Sequence, residues 1–452
     1  MLSEKQAGVE TRLSYYLGAF LLLIIIGVVG IYYLNAPFVE FGPDTYGYLG
    51  AVHQLQTTGN PVNYFRLPTY SIFILGVYAF THQGNLMAVS IVQGILFICA
   101  VAEIYLLTLL ITRRPWIAFL VGLLVGTNIF LLYSAKLIMA EGLSLWLLTT
   151  VMLNAIVFLK TLRPLFLWIS SGCLLFLLFA RPEWVLFPCL LFLILIVFTW
   201  KKLPRRTIAL PVISSLAVMY LLIGGYIYAN ARINNVASLS TVTNMNLIGK
   251  VLQYRMQDET PYNPYLSHIY DDYLRQGHAS PFYIASHAPG IGDHYAQASA
   301  DWAKNIILHH PVEFLMKSVP LFFTSLYYYP APSIPHIAPG KFVNIINPLL
   351  LIQLRLSTTN ILFPLCALIW LTLCCYRKTR HAFGVQTMGL LVLTVVYAVI
   401  ITTLGSYSES EYPRIHVIFD PLITLVVWGS FGLGIYQLLS FLRGRKKAGF
   451  SR

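Results

Sequence analysis

Five places in this chain put ionisable side chains where apolar runs begin or end. Asp44, Tyr46 and Tyr48 stand in PDTYGYLG, a few residues past a long apolar run; Arg66, Pro68 and Tyr70 follow in FRLPTY. Lys136 and Glu141 fall in SAKLIMAEGL, Arg181 and Glu183 in ARPEW, and Glu409, Glu411, Tyr412 and Arg414 in SESEYPRIH. A carboxylate can take the proton of an attacking hydroxyl. Arginines and lysines aimed at one point stabilise a phosphate that gains charge as it leaves. Aromatic rings suit the faces of sugars. Together these types fit sugar transfer from a lipid phosphate, with a gap between helices for the lipid tail. Each residue also has a plainer role. A lone Arg or Glu at a helix end is an interfacial anchor, Tyr46, Tyr48 and Tyr70 fit an aromatic belt, and Pro68 and Pro182 fit helix starts. The chemistry rests on the set.

The elements that must position this set are helices in a membrane. The 452 residues are 57% hydrophobic and 10% charged, with mean hydropathy +0.70; soluble domains carry about 25% charged residues. Runs long enough to cross ~30 Å of hydrocarbon recur, and only helices satisfy the backbone of such runs here. Spans are expected at 13–34, 85–112, 116–134, 137–159, 164–180, 184–200, 207–229, 358–376, 384–404 and 417–441. The run 312–329 opens after Pro311 and carries Lys317, and the run 343–354 is short. Either both cross or both lie in the interface, so ten to twelve spans are expected. The expectation is a single all-α integral domain over 1–452, its first run an anchor rather than a removed signal. The six cysteines all lie in apolar runs without metal-ligand spacing and read as small buried hydrophobes.

The net charge of +13 suggests nucleic acid until it is mapped. Arg113, Arg114, Lys160, Arg163, Lys201, Lys202, Arg205, Arg206, Arg377, Lys378 and Arg380 occupy short connections without an acid, and Arg443, Arg445, Lys446 and Lys447 end the chain. The positive-inside rule makes that face cytoplasmic, with both termini on it. No nucleic-acid role is needed, and no GxxxxGK[ST] or usable GxGxxG is present. The opposite face holds nearly every acid, a first loop over 35–84 and a long loop over 230–311, with helical stretches expected near 265–276 and 293–309. Loops of that length are usually functional, so the working face is expected outside the cytoplasm.

These segments, in this order, resemble the GT-C glycosyltransferases, and most closely the branch of protein O-mannosyltransferases and the bacterial lipid A aminoarabinose transferase. Asp44-Thr45-Tyr46-Gly47-Tyr48 and Phe65-Arg66-Leu67-Pro68-Thr69-Tyr70-Ser71 are similar to the first loop of that branch. Met139-Ala140-Glu141-Gly142 echoes its Thr-Glu-Pro-like turn, Arg181-Pro182-Glu183 matches its Arg-Pro-Glu turn, and Glu411-Tyr412-Pro413-Arg414 echoes its late Glu-x-Arg-Tyr-x-x-Pro segment. The stretch DWAKNIILHHPVEFLMKSVP, ending at Pro320, is similar to the close of the family's large loop. Thr45 stands where protein O-mannosyltransferases pair a second acid with the first, and Gly142 where the turn has Pro. These departures leave the acceptor open.

The resemblance implies a GT-C-like bundle of ten to twelve transmembrane helices, with interfacial helices in the first loop and one large outer loop. It implies inverting transfer from a polyprenyl-phosphate sugar, with Asp44 as base or acceptor-positioning acid. Arg66, Lys136, Arg181 and Arg414 would meet the donor phosphate. Glu141 and Glu183 would orient those cations or the sugar, Glu411 joins the substrate-binding set, and Tyr46, Tyr70 and Tyr412 make weaker contacts. The donor is a co-substrate and no cofactor is expected; His287 and His294 read as solvated loop histidines, with a divalent ion held by them and loop acids as the alternative. The acceptor is a glycan, lipid or protein, and the expected location is a bacterial inner membrane. The rival reading is a transporter or flippase of lipid-linked saccharides, which predicts repeated halves and polar breaks at mid-membrane. No clear repeat is visible, and Glu103 is the main acid inside a span.

Overall fold

A computed structural model describes residues 4–449, except 201, 203, 258–263, 279, 289–295, 328–347, 349–350, 353–354, 357 and 407–410. Asp258, Glu259, Asp293, His294, Glu409 and most of the run 343–354 lie outside the described residues. Among the described residues regular structure is helical, apart from one isolated bridge between Glu40 and Leu137.

The chain enters through α1 (Glu4–Asn35), then lays down two shorter helices, α2 (Thr45–Thr58) and α3 (Pro68–Phe80). α2 stops at Gly59, whose φ of 68° is the left-handed cap that glycine adopts without strain. α3 opens with Pro68 at its first turn, where the missing N–H costs nothing. Then come α4 (Leu86–Thr112), α5 (Pro115–Gly126), α6 (Ile129–Lys136), α7 (Ala140–Thr161), α8 (Pro164–Ala180), a 3-10 turn at Pro182–Trp184, α9 (Phe187–Thr199) and α10 (Arg205–Asn234). A cap of α11 (Thr241–Gln253), α12 (Pro264–Arg275), α13 (Pro281–His287) and α14 (Ala296–His309) leads into α15 (Pro311–Tyr327). The chain ends with α16 (Phe363–Cys375), α17 (Phe383–Gly405), the short α18 (Tyr412–His416) and α19 (Asp420–Gly449).

Eight described segments are long and apolar enough to cross a membrane; α5 and α6, bent by 54°, make a ninth if they count as one span. The bend falls at Thr127–Asn128, where the Asn128 side chain caps α6 by accepting from the N–H groups of Phe130 and Leu131. α8 has only 17 residues, but it packs along α7 after a two-residue connection, and Arg181 at its end pairs with Glu141 at the start of α7. It therefore runs back along α7 and, counted with the bent pair, would make a tenth crossing. α15 does not cross in its described course. Ser318 bonds Tyr254 of the cap, and Ser325 contacts Thr403 near the end of α17, so α15 stays at one end of the bundle. The chain is an integral, multi-pass membrane protein.

Two cores follow from the apolar pattern. The large one fills the bundle around α7, 72% of whose apolar window is inside, against 28% for α1. The smaller belongs to the cap, where Ile248, Leu252, Leu266, Ile284 and Ile306 surround Tyr270 stacked on Trp302 at 4.8 Å. α2, α3 and this cap lie at the end of the bundle that holds Glu141 and Arg181, the loop end; the short basic connections lie at the other.

Candidate active site

Five separate parts of the chain deliver charge to one point at the loop end. Asp44 sits just before α2, yet its side chain does not cap that helix. It reaches across instead: Oδ1 lies 2.6 Å from Arg66 Nη2, and Oδ2 accepts from Arg414 Nη1 at 2.6 Å. Arg414 also pairs with Glu411 one turn before it and places Nε 3.3 Å from Glu141. Glu141 lies 2.5 Å from Arg181, which reaches Glu183 at 3.4 Å. Asp44, Glu141, Glu183 and Glu411 thus share Arg66, Arg181 and Arg414, four carboxylates to three guanidinium groups.

Local sequence explains the placement. Asn63 Oδ1 accepts from the N–H groups of Phe65 and Arg66, a turn that aims the arginine. The guanidinium then rests over the rings of Tyr48 and Phe65, at 4.9 and 4.4 Å. Gly47 leaves room for this approach, since a Cβ there would come within 2.8 Å of Arg66 Nε. Behind Asp44, Thr45 Oγ1 donates to the carbonyl of Ile138, and Ile138 N–H donates to the carbonyl of Glu40. Gln93 holds the same strap through the carbonyls of Leu137 and Met139. The strap leads directly into α7 and so sets the position of Glu141.

Burial works against every charge in this network, and the partners decide the outcome. Against its burial, Arg414 and Arg66 hold the Asp44 carboxyl below the usual carboxylate range. Burial pushes Glu411 up, Arg414 pulls it back, and Asp44 and Glu141 push it further, so its carboxyl ends above the ordinary value. Arg181 and Arg414 are buried too, but their acidic neighbours keep the protons on both. Several buried polar atoms have no hydrogen-bond partner: both carboxylate oxygens of Glu141, and Nε of Arg66, Arg181 and Arg414. The arginines pair by distance while part of their donor capacity stays unaligned, which fits a site built to receive a further anion.

The network lines a cavity of about 390 Å³. Asp44, Arg66, Arg181, Glu183, Glu411 and Arg414 all border it, from the group expected by sequence. Glu141 pairs with two of the lining arginines from behind. The other expected residues lie elsewhere. Lys136 is fully buried, donates to the carbonyl of Ala36 at 2.5 Å and lies over Phe38 at 4.4 Å, so it clamps the end of α1. Tyr46 is 74% exposed and stacks on Phe41. Tyr70 is buried and donates to Gln93. The Tyr412 hydroxyl accepts from Lys250, a fully buried lysine of the cap.

Sequence reasoning missed a second group of residues lining the cavity: Ser240, Val242, Thr243 and Asn246 at the start of α11, and Phe282 of α13. The only signal was that this uncharged, polar segment lies in the large loop. Among the described residues no group of three His, Cys, Asp or Glu is placed to hold a metal ion.

Among the described residues the architecture is a helical membrane bundle, closed at one end by two short helices and a helical cap over an arginine–carboxylate cavity. The solved oligosaccharyltransferase AglB of the archaeon Archaeoglobus fulgidus, in complex with an inhibitory peptide and a dolichol-phosphate, superposes on 96% of this chain with TM-score 0.50 and 10% identity. This chain covers 52% of that one, so it spans about half the archaeal protein's length. ArnT of Cupriavidus metallidurans, bound to undecaprenyl phosphate, matches over 86% of this chain and 78% of its own at 11% identity, with a TM-score of 0.36. No protein-family model and no curated protein sequence matches the chain.

Proposed function

We propose that this protein is a membrane glycosyltransferase that moves a sugar from a polyprenyl-phosphate donor to an acceptor hydroxyl, with inversion and with Asp44 as base. The observation that carries the reading is Asp44 gripped at 2.6 Å by both Arg66 and Arg414 on the wall of the cavity. A carboxylate held this way is ionised but has both oxygens occupied, and its affinity for a proton is low. A phosphodiester entering beside it competes for the same two guanidinium groups, whose Nε donors are unaligned. As they turn to the phosphate, Asp44 loses its cations, its pKa rises and an oxygen is freed. The acceptor oxygen then attacks the anomeric carbon and gives its proton to Asp44. The carbon–oxygen bond to the phosphate breaks, and the polyprenyl phosphate departs with the electron pair against Arg66, Arg414 and Arg181. Glu141 and Glu183 keep Arg181 in place.

The basic connections at the opposite end support a cytoplasmic location for that end and for both termini. The cavity then faces outward, in the inner membrane of a bacterium. The AglB likeness supports the fold on which this chemistry is proposed; the acceptor, a glycan, lipid or protein, stays open.

The test is transfer by wild type and Asp44→Asn in nanodiscs, from a panel of radiolabelled polyprenyl-phosphate sugars with membrane extract as acceptor. Transfer by wild type, reduced ~10²–10⁴-fold in a folded Asp44→Asn variant, is the expected result. Equal transfer by both proteins removes Asp44 from the chemistry. No transfer from any donor, with lipid-linked saccharide carried across proteoliposomes, favours a flippase.

A further inference from the structure

The residues that line the cavity fall into groups of different character. One holds the arginines and carboxylates. Another holds Ser240, Val242, Thr243, Asn246 and Phe282 and has no charged side chain. We propose that this uncharged group is the sugar subsite, and that Thr243 and Asn246 select a neutral, polyhydroxylated pyranose. The inference rests on the glycosyltransferase reading and adds to it the substrate class and the residues that choose it.

Thr243 and Asn246 are three residues apart on α11 and share one face of the helix. The Asn246 amide makes no hydrogen bond with any described residue, and Thr243 Oγ1 has only a long contact, 3.4 Å, with Ser240 Oγ. An amide offers two donors and an acceptor, a hydroxyl one donor and two lone pairs, which together match adjacent sugar hydroxyls. These two residues are held in place from behind and from the side. Ile248, Val251 and Leu252 bury the rest of α11 in the cap core. Thr241 N–H donates to the carbonyl of Tyr64 at 2.8 Å, which ties the start of α11 to the loop that carries Arg66. A sugar whose phosphate sits on Arg66 is therefore within the same enclosure as Thr243 and Asn246.

Charge decides the class of sugar. The carboxylate of a uronic acid would be desolvated against Ser240, Val242, Thr243, Asn246 and Phe282, none of which is a cation. The ammonium of an amino sugar would likewise find no carboxylate among these five residues. A neutral pyranose meets neither obstacle, and a site built to bond hydroxyls discriminates against sugars that lack them.

Competition binding tests this on the full-length protein in nanodiscs, with labelled undecaprenyl phosphate as probe. The competitors are bare undecaprenyl phosphate and its mannose, glucose, galactose, glucuronic acid and 4-amino-arabinose conjugates. At least one neutral hexose conjugate is expected to bind about tenfold or more tightly than the bare lipid. Asn246→Ala and Thr243→Val should each remove most of that advantage while the bare lipid binds as before, which also shows that the variants are folded. A charged sugar preferred over every neutral hexose, or an advantage untouched by both substitutions, overturns the proposal and leaves the donor-phosphate site standing. Failure of the bare lipid to bind wild type instead removes the donor site itself.

Discussion

Asp44 combines two properties that pull apart: its partners hold its carboxyl ionised, and the same partners make it a poor base. The proposed exchange of Arg66 and Arg414 to the phosphate resolves this and has a measurable sign. In the free protein the acid limb belongs to a carboxyl with a depressed pKa, so kcat/KM for the donor should fall only below the ordinary carboxylate range. With donor bound the cations have moved and the pKa is higher, so the acid limb of kcat should lie at higher pH. Coincident limbs would remove the exchange. Gly47 is a second residue-scale test. Alanine has the better helix propensity, by about 1 kcal/mol, but its Cβ would meet Arg66 Nε at 2.8 Å and Phe65 at 3.0 Å. Gly47→Ala should lower the melting temperature, because displacing the buried Arg66–Asp44 pair costs more than the propensity gains, and transfer should drop at least about tenfold. Lys136 was expected on the phosphate from its place at a helix end, but its ammonium serves the Ala36 carbonyl. Lys136→Met should therefore lower stability and leave affinity for undecaprenyl phosphate unchanged, by melting and lipid binding respectively.

At the scale of elements, the break between α5 and α6 aligns the strap that carries α7 into the site. Its cap, Asn128, also donates to Asp420 at 3.3 Å, and Asp420 accepts from Asn360 and lies 3.6 Å from His416. His416 is two residues from Arg414, so this buried group ties the α6 cap to the helix that presents the arginine. Loss of an N-cap costs about 1 kcal/mol, and loss of one hydrogen bond to the buried Asp420 carboxylate adds to that. Asn128→Ala should cost roughly 2–3 kcal/mol in denaturant or thermal melts. A change under about 0.5 kcal/mol would mean that the cluster does not hold the bend. Apolar run length and proline position made most helices legible in the sequence. The shortness of α8 was legible too, as the run 164–180; the bend at Asn128 was not, because run length does not reveal which neighbour a helix end must meet.

For the whole molecule, the open question is which side the cavity faces. Single cysteines at Gly59, within the first loop, and at Thr379, in a basic connection, give the answer in a background free of the six native cysteines. A membrane-impermeant maleimide should label Gly59→Cys in intact cells and Thr379→Cys only after permeabilisation. The reverse pattern would put the cavity in the cytoplasm. The fold match to AglB extends over nearly all of this chain at 10% identity. Such identity leaves architecture as the shared property, which apolar periodicity and loop placement can preserve while side chains change.

Composition and charge asymmetry settled what needs no partner residues: a helical membrane protein, basic at one end and acidic at the other. The desolvation cost of charge near hydrocarbon also marked Asp44, Arg66, Glu141, Arg181, Glu183, Glu411 and Arg414 as a group, since isolated charges there are expensive. Tertiary structure alone decided which of them pair, that Lys136 faces α1, and that an uncharged face of α11 completes the cavity. Pairing is a property of distance across elements as far apart in the chain as Asp44 and Arg414. Neutral polar residues of a loop helix carry no desolvation signal to betray their use, so only the packed cap shows what they face.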